Sequence, residues 1–391
     1  MKRASLMIAV LILSLTAFAQ QREGGRGGGG RGGAGFGGRG RPASTMDSSP
    51  KLFDTQEYKI RVVTIAENLV YPYCLTFLPD GTMLVAESEG RIRVVKDGKL
   101  QPEPITGIPK VYFVGGQAGL MDLAPHPKFN DNHWLYFTYN KPGDMGATMA
   151  IGRGKLEGNQ LTEVKDIFVT NAWGTGNGHL SARIAFGRDG MLYMALADHN
   201  LLPEVAKGTS HAGKVLSVSD EGKPPASSPL GKGFLPEIYA MGFRNPHALV
   251  QDPHTNDFWE VEHGDEINIV KMGGNYGWPF VTSGEGDPIG PPPAGSKMTG
   301  PYMQQFPQLN ISGLTIYNGD KFPKWKGNVF VGGLATQQVH RVVPGNGTPA
   351  NREPLFVNLG QRVRDVRTGP DGYLYFTTDD PMGRVMRIEP Q

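Results

Sequence analysis

Six times along the chain a short alternating strand runs into a tight polar turn and then a second alternating strand, and this repeat limits the fold more than any other feature. Residues 75–87 (Leu-Thr-Phe-Leu-Pro-Asp-Gly-Thr-Met-Leu-Val-Ala-Glu) give the plainest copy. Others begin at Leu120, Ala182, His247, Gly313 and Val363. Alternation with period two marks strands that bury one face, and Pro-Asp-Gly or Arg-Asp-Gly supplies the turn. A third strand follows closely in four copies, at residues 91–95, 213–218, 338–343 and 383–388. No long helical period competes, and the 55 glycines and 31 prolines suit a chain rich in turns. The expectation is all-β, a six-bladed β-propeller over residues 57–391, as one domain. Residues 58–64 are placed to close the ring as the outer strand of the C-terminal blade.

The residues before the propeller are of a different kind. Lys2 and Arg3 precede an apolar run at residues 6–15, and Ala17-Phe-Ala19 fits the small-x-small cleavage rule. Residues 1–19 are therefore read as a signal peptide, which implies a periplasmic or secreted protein. The apolar run is too short to span a bilayer, and no membrane span is expected elsewhere. Residues 20–56 are read as a disordered Gly/Arg-rich segment followed by a linker from residue 43, because such a composition has nothing to bury. The net charge is +2, but the leader carries +2 and residues 20–42 carry +4, which leaves −4 for the remainder. A mildly acidic body argues against a nucleic-acid partner. Cys74, the single cysteine, cannot form an internal disulfide and reads as a small buried hydrophobe.

In a propeller the loops at the strand ends converge on a central channel, where ligands collect. Four stretches place chemistry there: residues 115–119 with Gln117, residues 177–183 with His179, residues 239–279, and residues 361–364 with Arg362 and Arg364. The third is the densest. It holds Arg244-Asn245-Pro, the loop Gly264-Asp-Glu266, and Asn275-Tyr276-Gly-Trp-Pro. A guanidinium, an amide and carboxylates on adjacent loops can grip an anion and a hard cation together. The same residues are also ordinary turn formers. His179 is the best general base, since imidazole titrates near neutral pH, and it is equally readable as a structural loop histidine. His263, beside the acidic loop, is a second candidate. Arg362 and Arg364, two apart, share a strand face and can clamp a carboxylate. There is no Gly-x-Ser-x-Gly elbow, no cysteine-based zinc spacing and no His-Glu-x-x-His.

Taken in order, these landmarks resemble the soluble PQQ-dependent aldose sugar dehydrogenases, the glucose/sorbosone dehydrogenase family of six-bladed propellers. The resemblance runs through residues 75–81, 117–127, 179–190, 244–246, 265–268, 275–279, 322–327 and 362–365. It implies a quinoprotein oxidoreductase that oxidises an aldose or related sugar by base-assisted hydride transfer to PQQ and hands electrons to an external acceptor. His179 falls at the family's catalytic base. Gln117, Arg244, Asn245, Arg362 and Arg364 fall at positions that contact the cofactor. Gly264 falls at a calcium-binding carbonyl, and Glu266 and Tyr276 match a second calcium site. The chain departs from the pattern at Ser181 and Ala182, where two glycines are usual, at Gly264 joined directly to Asp265, and at Ala335, where a cofactor-binding lysine is usual. The alternative reading is a non-redox propeller that binds a carbohydrate or a protein in its central channel.

Overall fold

Three of the repeats make the same turn, and it shows why the motif is spelled with Asp-Gly. Gly81, Gly190 and Gly372 take φ of 85°, 80° and 81°, a left-handed conformation that glycine adopts without steric cost. Their amides donate to Leu78, Gly187 and Gly369 carbonyls at 2.9, 2.9 and 3.0 Å. The preceding Asp80, Asp189 and Asp371 each accept the amide two residues on, at 2.9, 3.0 and 3.3 Å. Each turn thus fixes the register of its hairpin through its own side chain.

The computed structural model describes residues 43–114, 118–264, 266–282, 287–303 and 309–391. The described strands form six antiparallel sheets. Their innermost strands are Pro72–Phe77, Leu120–Pro125, Ala182–Phe186, Pro246–Gln251, Ile311–Ile316 and Val363–Thr368. Each packs against the next, and the sixth packs against the first, so the sheets are the blades of a closed six-bladed β-propeller. Closure follows the expected route: Lys59–Leu69 pairs with Gly383–Pro390, with Val62 opposite Ile388. Within the stretch read as linker, Lys51–Asp54 pairs with Lys59–Leu69 and adds a fifth strand to that sheet. The expected leader and Gly/Arg segment, residues 1–42, lie outside the described residues. No helix among the described residues is long and apolar enough to cross a membrane.

The core lies between blades. Met121 and Tyr136 of the second blade pack with Ile184 and Met194 of the third, and Phe330 and Val339 of the fifth with Val366 and Phe376 of the sixth. Cys74 is buried and free, as read. Apolar burial of this kind supplies most of the favourable folding energy.

The channel axis is filled differently. Arg183 is fully buried, with Nε donating to the His247 carbonyl at 2.8 Å. It lies 3.6 Å from Asp122 and 3.8 Å from Asp365, and Arg367 bridges the same two carboxylates at 3.1 and 2.9 Å. Asp122 also accepts the Ile184 amide, and Asp365 the Leu75 amide, both at 3.1 Å. Each carboxylate therefore pins the inner strand of a neighbouring blade. Buried charges persist only when paired and hydrogen-bonded, and here the ion pairs join the second, third and sixth blades.

Candidate functional site

The inner strands all begin at one rim of the ring, and most sequence-predicted residues gather there. His179 precedes the third inner strand, Arg244 and Asn245 precede the fourth, and Arg362 and Arg364 flank the start of the sixth. Opposite them come the ends of the second strands: Asp198 after Leu192–Leu196, His263 and Gly264 after Phe258–Glu262, and Asp379 after Leu374–Thr378.

His179 is held rather than loose. Its φ is 51°, its carbonyl accepts the His199 amide at 3.1 Å, and its side chain is about 15% exposed. Nδ1 lies 2.8 Å from Asp198 Oδ1. Asp198 is fully buried, and its carboxylate also accepts the Asn200 amide at 2.8 Å and Trp278 Nε1–H at 2.7 Å. With Nδ1–H donating to a fixed carboxylate, the ring is set in the tautomer whose lone pair is on Nε2. The Asp198 amide donates to the Arg244 carbonyl at 2.9 Å, and the Arg244 guanidinium lies 5.6 Å from the Trp278 ring centroid. One carboxylate thus links the third and fourth blades at the rim.

Asp198 and Trp278 were given no role from sequence. The repeat carries only a loose signal for Asp198: an acid stands at the end of the second strand or within two residues after it in four blades, at Glu87, Asp198, Glu262 and Asp379.

Across the rim, Arg362 Nε and Arg364 Nη2 meet the same oxygen of Asp379, at 2.9 and 3.1 Å. Arg362 Nη1 also donates to the Leu334 carbonyl at 3.1 Å. Burial alone would raise the Asp379 carboxyl, but Arg364 and then Arg362 more than reverse it and leave its pKa lowered. Both guanidinium groups therefore share the Asp379 carboxylate.

Between these groups the His247 and His263 rings stack, with centroids 4.6 Å apart and planes at 25°. Both are buried. Burial drives both imidazoles well below their usual range, with His263 and Arg364 next for His247 and Arg364 and Arg244 next for His263. Burial thus keeps the His263 imidazole neutral, and its Nε2 lies 3.2 Å from Asn310 Nδ2. Asn245 is also fully buried, and neither atom of its side-chain amide has a hydrogen-bond partner among the described residues.

Next to Arg244 lies a second group. Gly264, Glu262, Glu266 and Tyr276 line a cavity of about 140 Å³ with Arg244 and Trp278. The Arg244 and Asn245 amides donate to Glu262 at 3.1 and 2.7 Å. Glu262 faces Glu266 across the strand pair, and Asn268 donates to Glu260 and Glu266 at 2.8 and 3.1 Å. Burial first, then the Glu266 charge, raises Glu262 to about 8, and burial raises Glu266 to about 7. The Tyr276 hydroxyl donates to the Ile269 carbonyl at 2.6 Å and accepts the Lys271 amide at 2.9 Å. Its phenol is committed to the backbone, so a metal would meet Tyr276 through the main-chain carbonyl. No set of three or more His, Cys, Asp or Glu side chains among the described residues is arranged as a metal cluster. Gln117 and Asp265 lie outside the described residues.

The departures from the family pattern have structural consequences. Ser181 is fully buried and its hydroxyl donates to the Pro246 carbonyl, while the Ala182 carbonyl accepts the Thr138 hydroxyl at 2.7 Å. Both residues make contacts between blades, and the one through the Ser181 hydroxyl is one a glycine cannot make. Ala335 is exposed, and its amide donates to the Leu309 carbonyl at 2.9 Å.

Comparison with known proteins agrees with this architecture. The family model described as Glucose / Sorbosone dehydrogenase matches residues 69–387. An aldose sugar dehydrogenase of Escherichia coli K12 is 35% identical over 85% of this chain and 93% of its own length. The apo crystal structure of the soluble E. coli aldose sugar dehydrogenase superposes with a TM-score of 0.79 at 32% identity, covering 85% of this chain and all of that one. A PQQ-bound aldose sugar dehydrogenase of Streptomyces coelicolor shares the fold, with a TM-score of 0.69 at 23% identity over 88% and 99% of the two chains. The chain belongs to the glucose/sorbosone dehydrogenase family.

Proposed function

We propose that this chain is a secreted or periplasmic quinoprotein that oxidises an aldose or related sugar and passes the electrons to an external acceptor. The observation that carries this reading is the His179–Asp198 pair set at the same rim as Arg244, Asn245, Arg362 and Arg364. His179 Nε2 takes the proton of the anomeric hydroxyl, and Asp198 steadies the imidazolium that results. PQQ, when bound, supplies the hydride acceptor. Arg362, Arg364 and Arg244 suit its carboxylates, and the unpartnered Asn245 amide offers a donor and an acceptor that water does not reach. Gln117 would complete the cofactor contacts.

Calcium fits the oxygen-rich side of the rim. The Gly264 carbonyl, the Glu266 carboxylate and the Tyr276 carbonyl are hard donors, which suit this ion. Glu262, across the strand pair from Glu266, adds charge that would hold it. Binding in the channel itself has less support, because Asp122, Arg183, Asp365 and Arg367 fill the axis below the rim.

The test is a titration of the purified protein with PQQ in calcium, followed by a panel of aldoses with a dye acceptor. Saturable binding at micromolar concentration and sugar-dependent dye reduction are expected. A folded protein that binds no PQQ overturns the proposal.

A further inference from the structure

A cavity of about 940 Å³ opens beside the rim site, and one of its walls comes from before the propeller. Residues 43–46 and 50–53 face it, opposite Tyr71, Gln337, Asn358 and Gln361. Arg362 and Asp379 line it too, so it is continuous with the arginine edge of the rim. The wall is fastened at several points. The Ser44 amide donates to Asp380 at 3.1 Å, Gln361 Nε2 to the Ser44 hydroxyl at 2.5 Å, and Arg384 Nη2 to the Met46 carbonyl at 2.6 Å. Met46 and Phe53 pack on the core of the fifth and sixth blades, and the Phe53 ring lies 5.3 Å from Phe356.

The lining selects for chemistry. Its charges are matched: Arg362 with Asp379 at 2.9 Å, Lys51 with Asp47 at 2.7 Å, and Asp380 with the Ser44 and Met382 amides. Beside these pairs the described lining holds the amides of Gln337, Asn358 and Gln361, the hydroxyls of Ser44 and Thr45, and the rings of Tyr71 and Phe53, a mixture that suits a polyhydroxylated ring with polar edges and apolar faces. The volume is near the top of the roughly 300–1,000 Å³ range of small-molecule sites. Tyr71, Gln337 and Asn358 take left-handed φ of 46°, 58° and 78°. Such conformations cost energy in non-glycine residues and concentrate at ligand sites.

We propose that this cavity is a second sugar subsite built by the N-terminal arm, and that it selects oligosaccharides whose oxidised ring lies at His179. The inference rests on the sugar dehydrogenase reading and goes further in naming a substrate size and the arm that reads it. Arg362 and Asp379 belong to both regions and join the cavity to the rim.

Two variants test it in the full chain, with glucose and maltotriose as probes. Thr45→Trp places a ring in the cavity from the exposed arm. Asn358→Gly removes an amide while permitting the left-handed backbone. Wild type is expected to show a KM for maltotriose at least tenfold below that for glucose. Thr45→Trp should erase that difference, and Asn358→Gly should reduce it several-fold, with kcat and KM for glucose unchanged. Equal KM values for the two sugars in wild type, or no effect of either variant on maltotriose, overturns the proposal. If no sugar is oxidised at all, the dehydrogenase reading fails separately. Calorimetric binding of maltotriitol, which has no anomeric hydroxyl, still decides the subsite: binding that Thr45→Trp abolishes supports it, and absence of binding to wild type rejects it.

Discussion

His179 Nδ1 lies 2.8 Å from Oδ1 of a fully buried Asp198, which is itself fixed by the Asn200 amide and by Trp278 Nε1–H. A base held in this way has one tautomer and one orientation. Asp198→Asn keeps the shape and loses the charge. It should lower kcat by on the order of 10²-fold or more, with the affinity for PQQ changed little. Steady-state kinetics beside a quinone titration separate the two, and an equal loss in both would assign Asp198 to cofactor binding.

Asp379 is shared by the Arg362 and Arg364 guanidinium groups at the opposite edge. Its removal takes a buried partner from both. Asp379→Asn should therefore cost about 3 kcal/mol of stability. It should also tighten binding of an anionic quinone, because more positive charge is left at the edge. Denaturant unfolding and PQQ titration are the paired measurements, and weaker PQQ binding would show that the carboxylate chiefly orients the arginines.

The glutamates beside Gly264 give a pH dependence with a definite sign. Glu262 at about 8 and Glu266 at about 7 stand above their ordinary value of 4.5, so the folded protein holds protons that the unfolded chain has released. That support is complete below the ordinary glutamate range and is lost as pH rises through 7 and 8. Without divalent cations, Tm should fall between pH 5 and pH 8. Calcium at pH 8 should restore it by taking the place of the protons. Thermal scans with and without a chelator read this out, and a Tm indifferent to calcium at pH 8 would remove these residues from any metal site.

Arg183 was noted as part of the His179 stretch, but its guanidinium belongs to the channel axis. Arg183→Met leaves Asp122 and Asp365 with Arg367 alone. It should destabilise the protein by about 3 kcal/mol, with KM and the pH profile of any remaining activity unchanged. A shifted pH profile would place Arg183 in the reaction instead.

The propeller was legible because its signal is local and repeated: the Asp-Gly turn at residues 80–81, 189–190 and 371–372 is both written in the sequence and made by the side chain beside it. Ring closure was readable because residues 58–64 alternate yet stand outside the six copies of the repeat; the closing strand is Lys59–Leu69. His179, Arg244 and Arg362 stand out because they precede strands. Asp198 and Trp278 are 80 residues apart and meet only across a blade boundary, so no local pattern pairs them. Strand Lys51–Asp54 was missed because it is four residues long and gains its order from the sheet it joins. The stacking of His247 on His263 arises from the spacing of adjacent strands, which composition does not encode.

The central claim is that His179 is the base that starts sugar oxidation in a PQQ-loaded site. Rapid mixing of protein carrying PQQ and calcium with glucose, followed by quinone absorbance, tests it without an electron acceptor. The account predicts fast loss of the quinone signal in wild type. It predicts full PQQ occupancy but a rate lower by at least about 10²-fold in His179→Ala. A variant that binds PQQ and is reduced at the wild-type rate would contradict it.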